Sequence, residues 1–281
     1  NGRESSVRPT TRRENVRNEA SDTSGAREHD GLAGRDSDHT GYDMPAGADI
    51  IMDKVRETLR SIFEAPEAAV YLVATGTAAN ALALATMCAP YETVFCSPTA
   101  HIHEDECNAP EFYTAGAKLS IVGTLDQMTP ETLRSSIEAQ QTRGVHGPQR
   151  GPVSITQVTE RGAVHSLAQI KALSDVAKSY GLGVHLDGAR FANAQAALDC
   201  SAAEMTWKAG VDVVSFGGTK NGCMGVEAVI FFDPTKAWEF ELRRKRGAHL
   251  FSKHRFLSAQ MQAYLADDLW LKSAKQANIN C

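Results

Sequence analysis

Apolar and polar positions along the chain predict a domain in which strands and helices alternate. From Asp49 to Phe63, apolar residues recur at helical spacing, and Asp49 is a suitable N-cap. Short apolar runs that predict buried strands follow at residues 70–73, 93–96, 118–122, 153–158, 184–186, 213–216 and 228–232. Helical patterns lie between most of these runs, so we expect a mostly parallel, three-layer α/β fold.

The two ends of the chain depart from this alternation. Residues 1–45 are rich in Arg, Asp, Ser and Gly and have almost no apolar periodicity, which predicts an extended or partly disordered N-terminal arm. A large domain is expected over residues 46–235, followed by an amphipathic helical segment over residues 236–281. The basic run at residues 243–246 is interpreted as a solvated face, because clustered charges usually face water.

Two further sequence patterns predict where helices begin. Thr129 followed by Pro130 places a capping residue and a proline at the start of a helix. Ser201 and Glu204 match the capping-box pattern and predict a short helix that ends at Gly210.

Composition narrows the classes of function. The 281 residues carry a net charge of −5, and 42% are hydrophobic, which is enough for a sizeable core. No basic stripe interleaved with aromatic residues is present, so nucleic acid is not an expected partner. The six cysteines never form a C-x-x-C pair, which disfavours a zinc site and suits a reducing cytoplasm.

Membrane insertion and secretion are also not expected from the sequence. The chain opens with polar and charged residues rather than the apolar core of a secretory signal. Its most apolar stretch, residues 68–90, is interrupted by Thr75, Gly76, Thr77 and Asn80, so we interpret it as a strand, a turn and a helix.

The most informative residues are an acid and an amine at the ends of two predicted strands. Asp187 closes the run at residues 184–186, and Lys220 follows the run at residues 213–216 across two glycines. If these strands are parallel neighbours, both side chains lie at the sheet edge where open α/β sheets bind ligands. A lysine can form a Schiff base and an aspartate can pair with a ring nitrogen, and pyridoxal phosphate requires both. Taken singly, each residue is more simply explained as a surface charge or a turn.

Two other segments carry candidate chemistry. The turn at Gly76 and Thr77 joins a predicted strand to a helix, an arrangement that can bind a phosphate, although many such turns bind nothing. Residues 101–106 contain two histidines and three carboxylates. A helix start with one functional histidine is the preferred interpretation, acid–base chemistry near a cofactor is the next, and a metal site is the last.

With VATGTAAN, AHIHEDE, HLDGAR and SFGGTKNG in this order, the chain resembles the threonine aldolase and β-eliminating lyase family. The resemblance covers roughly residues 20–278 and is closest to low-specificity threonine or phenylserine aldolases. It implies a pyridoxal-phosphate enzyme of the aspartate-aminotransferase-like fold. It also implies that the chain contains only the start of the small C-terminal domain.

The resemblance also implies roles for individual residues. The cofactor would be held by the Schiff-base residue Lys220, by Asp187 at the ring nitrogen, by Gly76 and Thr77 at the phosphate, and by His101 on the ring face. Arg190 would reach the phenolic oxygen of the ring or the substrate carboxylate, and Ser21 and Asp22 would help to bind that carboxylate. Glu106 or His101 would act as the base, and the choice between them stays open. No metal is implied.

The expected reaction is cleavage of the Cα–Cβ bond of a β-hydroxy-α-amino acid to glycine and an aldehyde. Two alternatives are a lyase that catalyses β-elimination on an aromatic amino acid and a catalytically inactive, truncated remnant. The resemblance further implies a homodimer or homotetramer that acts on a small amino acid in the cytoplasm.

Overall fold

The computed structural model describes residues 49–140 and 143–280, which form a seven-stranded sheet with helices on both faces. The strands are β1 (Ala69–Val73), β2 (Glu92–Cys96), β3 (Lys118–Ile121), β4 (Gln149–Thr156), β5 (Val184–Gly188), β6 (Val213–Gly217) and β7 (Glu227–Phe231). The helices are α1 (Ile50–Ile62), α2 (Gly76–Met87), α3 (His101–Glu104), α4 (Ala109–Tyr113), α5 (Pro130–Ala139), α6 (Leu167–Ser179), α7 (Phe191–Leu198), α8 (Ala237–Arg246), α9 (Arg255–Leu265) and α10 (Leu269–Asn280).

The sheet is mostly parallel, as the alternation of strands and helices predicts. Its strand order is β1-β7-β6-β5-β4-β2-β3. Strands β2 to β6 run parallel to their neighbours within that group, and β7 runs antiparallel to both β1 and β6. The predicted three-layer α/β fold is therefore confirmed.

Local capping explains where several helices begin. The Asp49 carboxylate accepts a hydrogen bond from the backbone N–H of Met52 at the start of α1. Thr129 caps α5 with a proline at the first helical position, as predicted. Ser166 and Gln169 form a reciprocal capping box at the start of α6.

Two apolar layers enclose the sheet. One face packs against α2 and α8 through alternate strand residues such as Tyr71, Val213 and Val229. The opposite face carries the larger core, in which Leu186, Val214 and other strand residues meet the remaining long helices. This alternation gives each central strand two buried faces, which is the pattern of a sheet covered on both sides.

The apolar stretch at residues 68–90 forms β1, a turn and α2, as predicted. Among the described residues, no helix is both long and apolar enough to cross a membrane. Helix α2 is buried because it packs between the sheet and helices α4 and α8.

Two sequence interpretations held only in part. Ser201 and Glu204 form both capping-box hydrogen bonds and a helical turn ends at Gly210, but between them the segment consists of turns and a 3-10 helix at Trp207–Ala209 instead of an α-helix. The basic run is not wholly solvated: Arg244 is fully buried, stacks on the ring of Tyr71 and donates to the carbonyl of Leu72. A charged side chain can be buried when it is paired with an opposite charge, and Nη2 of Arg244 donates to Glu241, whereas its Nε has no partner among the described residues.

The expected domain boundaries stay predictions. Helices α8 to α10 pack against α1, α2 and α7, so the segment after residue 235 is in extensive contact with the rest of the described chain. The N-terminal arm lies outside the described residues.

Candidate active site

The candidate site lies at the edge of the sheet where β4, β5 and β6 end. Asp187 pairs with Ser215 across the parallel strands β5 and β6, and Lys220 follows β6 in a short 3-10 helix, Thr219–Asn221. The two chain segments approach each other so closely that a Cβ at Gly217 would stand 2.3 Å from the carbonyl oxygen of Ala189. Only glycine fits at this crossing, which explains one of the two glycines before Lys220.

Asp187 is buried and its carboxylate is fixed by two donors. The backbone N–H of Ala189 donates to Oδ1 at 3.1 Å, and the Asn80 side chain donates to Oδ2 at 2.9 Å. Asn80 lies on α2, so the helix that follows the candidate phosphate turn also positions this acid.

Lys220 lies beside a carboxylate that the sequence analysis did not select. Its Nζ is 3.8 Å from Oε1 of Glu160, and Oε2 of Glu160 accepts a hydrogen bond from Nη1 of Arg190 at 3.1 Å. Glu160 lies four residues after the end of β4. The structure therefore brings Arg190 and Lys220 together around one acid, and Arg190 is engaged with that acid.

His101 and Glu106 form a hydrogen-bonded pair next to Asp187. His101 Nδ1 lies 2.8 Å from Glu106 Oε1, and the same oxygen accepts a hydrogen bond from Asn80 at 2.8 Å. The Glu106 side chain has no exposed surface, whereas a quarter of the His101 side chain is exposed. The imidazole therefore lies between the carboxylate and the open side of the site.

The pKa values of Glu106 and His101 are both raised, by burial for Glu106 and by hydrogen bonding for His101. Burial raises the pKa of Glu106, and this effect exceeds the opposing effect of its hydrogen bonds to His101 and Asn80. The hydrogen bond to Glu106 raises the pKa of His101, and the negative charge of Asp187 adds to that increase. The positive charge of Lys220 acts on His101 in the opposite sense, so all four groups share one electrostatic environment.

The start of α2 provides an anion site at the same edge. The Thr75 side chain accepts a hydrogen bond from the N–H of Ala78, and the N–H groups of Gly76 and Thr77 have no acceptor within the described residues. A Cβ built on Gly76 would meet no atom within 4 Å, so the space beside these donors is open. Unpaired N–H groups at a helix N-terminus attract phosphate.

These observations fit pyridoxal 5'-phosphate. The site offers an amine for the aldehyde carbon, a buried carboxylate for a ring nitrogen, an imidazole, and open N–H donors for a phosphate. Each of these protein groups is suited to bind one part of the cofactor.

Two residues that hold the Lys220 loop in place were missed by the sequence analysis. Buried Glu227 at the start of β7 accepts a hydrogen bond from the N–H of Gly218 at 2.8 Å, and burial raises its pKa to about 6. Asn221 donates to the hydroxyl of Tyr264 and to the carbonyl of Trp270. Only the tertiary structure brings these groups together, so no local sequence signal could have identified them.

The remaining candidate residues add nothing to this cluster among the described residues. Ser21 and Asp22 lie outside the described residues, so their predicted role stays a prediction. His103 lies on α3 with His101, and no group of three or more metal-ligating side chains occurs among the described residues.

The chain is similar to known proteins in sequence and in fold. The family profile described as "Beta-eliminating lyase" matches residues 39–280. A "Low specificity L-threonine aldolase" of Pseudomonas aeruginosa is 44% identical over 239 residues, which are 85% of this chain and 68% of that protein. A protein of Pseudomonas sp. with the same description is 43% identical over the same shares of both chains.

A solved structure shows the same fold. The threonine aldolase of Leishmania major superposes with a TM-score of 0.81 at 24% identity, over 86% of this chain and 70% of that chain.

Proposed function

The chain belongs to the β-eliminating lyase family, and from this premise we propose that it is a pyridoxal-phosphate-dependent aldehyde-lyase. It cleaves the Cα–Cβ bond of β-hydroxy-α-amino acids of the threonine or phenylserine type, with glycine and an aldehyde as products. The observation that carries this proposal is the convergence of Lys220, Asp187 and His101 beside the open N-terminus of α2. The similarity to two threonine aldolases supports the reaction type.

In this proposal each residue of the site binds a different part of the cofactor. Lys220 would hold the aldehyde carbon, Asp187 would hold a proton on the ring nitrogen, and the N–H groups of Gly76 and Thr77 would bind the phosphate. His101 would contact the ring. When bound, the cofactor supplies an electron sink for the electron pair that remains on Cα after the bond breaks.

We propose that His101 moves the proton of the substrate β-hydroxyl and that Glu106 supports it. Glu106 is buried and bonds to Nδ1 of the imidazole, so His101 is the member of this pair with surface open to the site. Nε2 of His101 has no partner among the described residues and is the atom left to accept the proton. The carboxylate fixes the imidazole and stabilises its protonated form, as acids do for catalytic histidines elsewhere.

Recognition of the substrate carboxylate is assigned to Arg190, with Ser21 and Asp22 as further proposed contributors. Arg190 is already paired with Glu160 at 3.1 Å, so an incoming carboxylate or ring oxygen must share or replace this partner. Such an exchange is inexpensive because the pair is partly solvated and exposed ion pairs contribute little, about 0–1 kcal/mol.

Product analysis tests the proposed reaction. The purified chain is loaded with pyridoxal phosphate and incubated with threonine and with phenylserine, and the products are identified. Glycine with acetaldehyde or benzaldehyde supports the proposal. Ammonia and a keto acid would instead identify β-elimination, and cofactor uptake without turnover would identify an inactive binding protein.

We further propose that the enzyme acts in the cytoplasm as a homodimer or homotetramer. Large apolar side chains lie exposed on two helices that both pack against α2, including Phe112 on α4 and Trp238 and Leu242 on α8. A second subunit would remove this apolar surface from water. The five cysteines among the described residues are unpaired, which suits a reducing compartment. Light scattering of the purified chain measures the assembly.

A further inference from the structure

One amide group lies between the two buried acids of the site. Nδ2 of Asn80 donates to Oε1 of Glu106 at 2.8 Å and to Oδ2 of Asp187 at 2.9 Å. All three side chains are buried, with at most 4% of each residue exposed. The acids come from distant parts of the chain, the segment after α3 and strand β5, and Asn80 is the side chain that connects them.

The amide has the right chemistry for this position. A carboxamide carries two N–H donors and no charge, so it can satisfy two carboxylates at once without adding a third charge. A buried carboxylate that loses a donor is strongly destabilised, because no water replaces the lost hydrogen bond. Leucine at this position would remove both donors, and aspartate would replace them with another acid.

The orientation of the amide follows from the same contacts. Oδ1 of Asn80 and Oε2 of Glu106 are buried without a hydrogen-bond partner among the described residues. A flipped amide would direct its oxygen at both carboxylates, which would repel it. The two acids therefore fix the amide, and the amide in turn fixes the distance between them.

The amide also extends a chain of hydrogen bonds across the site. His101 Nδ1 contacts Glu106 Oε1, and that oxygen and Asp187 both accept from Asn80. Three members of this series of hydrogen bonds can carry charge: His101, Glu106 and Asp187. Lys220 faces them from the loop after β6. The negative charge of Asp187 also contributes to raising the pKa of Glu227 on β7.

We propose that Asn80 is a positioning residue that holds Asp187 and Glu106 in register. The carboxylate that would pair with the cofactor ring nitrogen and the carboxylate behind His101 are then both ionised at the same time. The proposal deepens the function given above and rests on it for the roles of Asp187 and His101. Two carboxylates this close without a shared donor would disfavour each other's charge.

The test measures the unfolding of the full chain at two pH values, without and with pyridoxal phosphate. Asn80→Leu is expected to lower the urea midpoint more at about pH 8 than at about pH 5, because a lower pH favours the protonated form of Glu106, which has less need of the donor. The sign follows from the pKa of Glu106, which burial already raises and which loss of Asn80 would raise further. Stability is then present at low pH and is lost as the pH rises.

A matched control separates this effect from simple packing. Thr86 lies on the same helix, is equally buried, and donates only to the carbonyl of Leu82. Thr86→Val should lower the midpoint by the same amount at both pH values. If Asn80→Leu behaved like this control, the proposed bridging role would be overturned.

A second variant covers the case in which Asn80→Leu does not fold. Asn80→Asp keeps the shape and should recover stability as the pH falls, because a protonated carboxyl can donate. Introducing Glu106→Gln into either variant should reduce its pH dependence, since one of the two acids is then neutral. An unchanged pH dependence in that background would contradict the proposal.

Cofactor binding distinguishes this proposal from the proposed function. Asn80→Leu should weaken binding of pyridoxal phosphate roughly tenfold or more, whereas Thr86→Val should leave it unchanged. If the unaltered chain bound no cofactor, the proposed function would fail, and the pH-dependent unfolding would still decide the role of Asn80. If Asn80→Leu bound the cofactor as tightly as the unaltered chain, the positioning role would fail and the proposed function would stand.

Discussion

The two sides of the site hold their charges in different ways. On the α2 side, His101, Glu106, Asn80 and Asp187 form a largely buried chain with every contact between 2.8 and 2.9 Å. On the β4 side, Arg190 and Lys220 form a looser cluster around Glu160. Arg190 lies 3.1 Å from this carboxylate and 36% of its side chain is exposed. Lys220 lies 3.8 Å away and 38% of its side chain is exposed.

This difference indicates a division of labour. Buried hydrogen bonds are costly to break, so the α2 side is suited to hold groups whose geometry must not change. Partly solvated ion pairs exchange partners at little cost, so the β4 side is suited to groups that must release one partner to receive a ligand. In the proposed function, Lys220 and Arg190 are those groups.

The largest expected effect comes from removing the amine of the exposed cluster. Lys220→Ala should reduce the rate of aldehyde release by about three orders of magnitude or more, because no other side chain can replace the nucleophile. The chain should still fold, since the Lys220 side chain is only loosely paired. Turnover at the rate of the unaltered chain would remove Lys220 from the mechanism.

A smaller effect is expected from neutralising Glu106, the carboxylate that contacts His101 on the buried side of the site. Glu106→Gln should reduce kcat by roughly tenfold or more, because the protonated imidazole loses its charged partner. Glu106 raises the pKa of His101, so the variant should have a lower pKa there. If His101 is the base, the acidic limb of the pH–rate profile then moves to lower pH. A limb that stays in place would favour another base.

Substitution of Glu227 should change the free energy of unfolding rather than the rate of the reaction. Its pKa in the folded chain is raised from 4.5 to about 6 by burial, so it contributes stability that is present below about pH 4.5 and lost as the pH rises through about 6. The shift corresponds to roughly 2 kcal/mol. Glu227→Gln should remove this part of the pH dependence of the free energy of unfolding. Glu57 is exposed on α1, and Glu57→Gln should preserve the dependence and serves as the control.

The smallest effect is expected at the centre of the exposed cluster. Glu160→Gln should change the free energy of unfolding by less than about 1 kcal/mol, because its partners are partly solvated. It should also lower KM for the amino acid, since Arg190 no longer has a competing anion. A large loss of stability would mean that the two clusters do not differ as described.

Much of the fold could be predicted because its signals are local. Apolar spacing and a capping residue located α1 from Asp49, and Thr129 with Pro130 located α5. The adjacency of Asp187 and Lys220 followed from two apolar runs and the general behaviour of parallel sheets.

The parts that could not be predicted depend on distant contacts. Asn80 looked like an interruption of an apolar helix, and its partners lie 26 and 107 residues away in sequence. Arg244 looked like part of a solvated run until the Tyr71 ring and the Leu72 carbonyl gave it a buried environment. The capping box at Ser201 formed its hydrogen bonds without an α-helix, since capping satisfies the first N–H groups but does not supply the packing that sustains further turns.

The central claim is that Lys220 is the residue that holds the cofactor opposite Asp187. Reduction of the loaded chain with borohydride, followed by digestion and mass spectrometry, tests it directly. The account predicts a single pyridoxyl label on Lys220. A label on a different lysine of an active preparation, or an active preparation with no label, would contradict it.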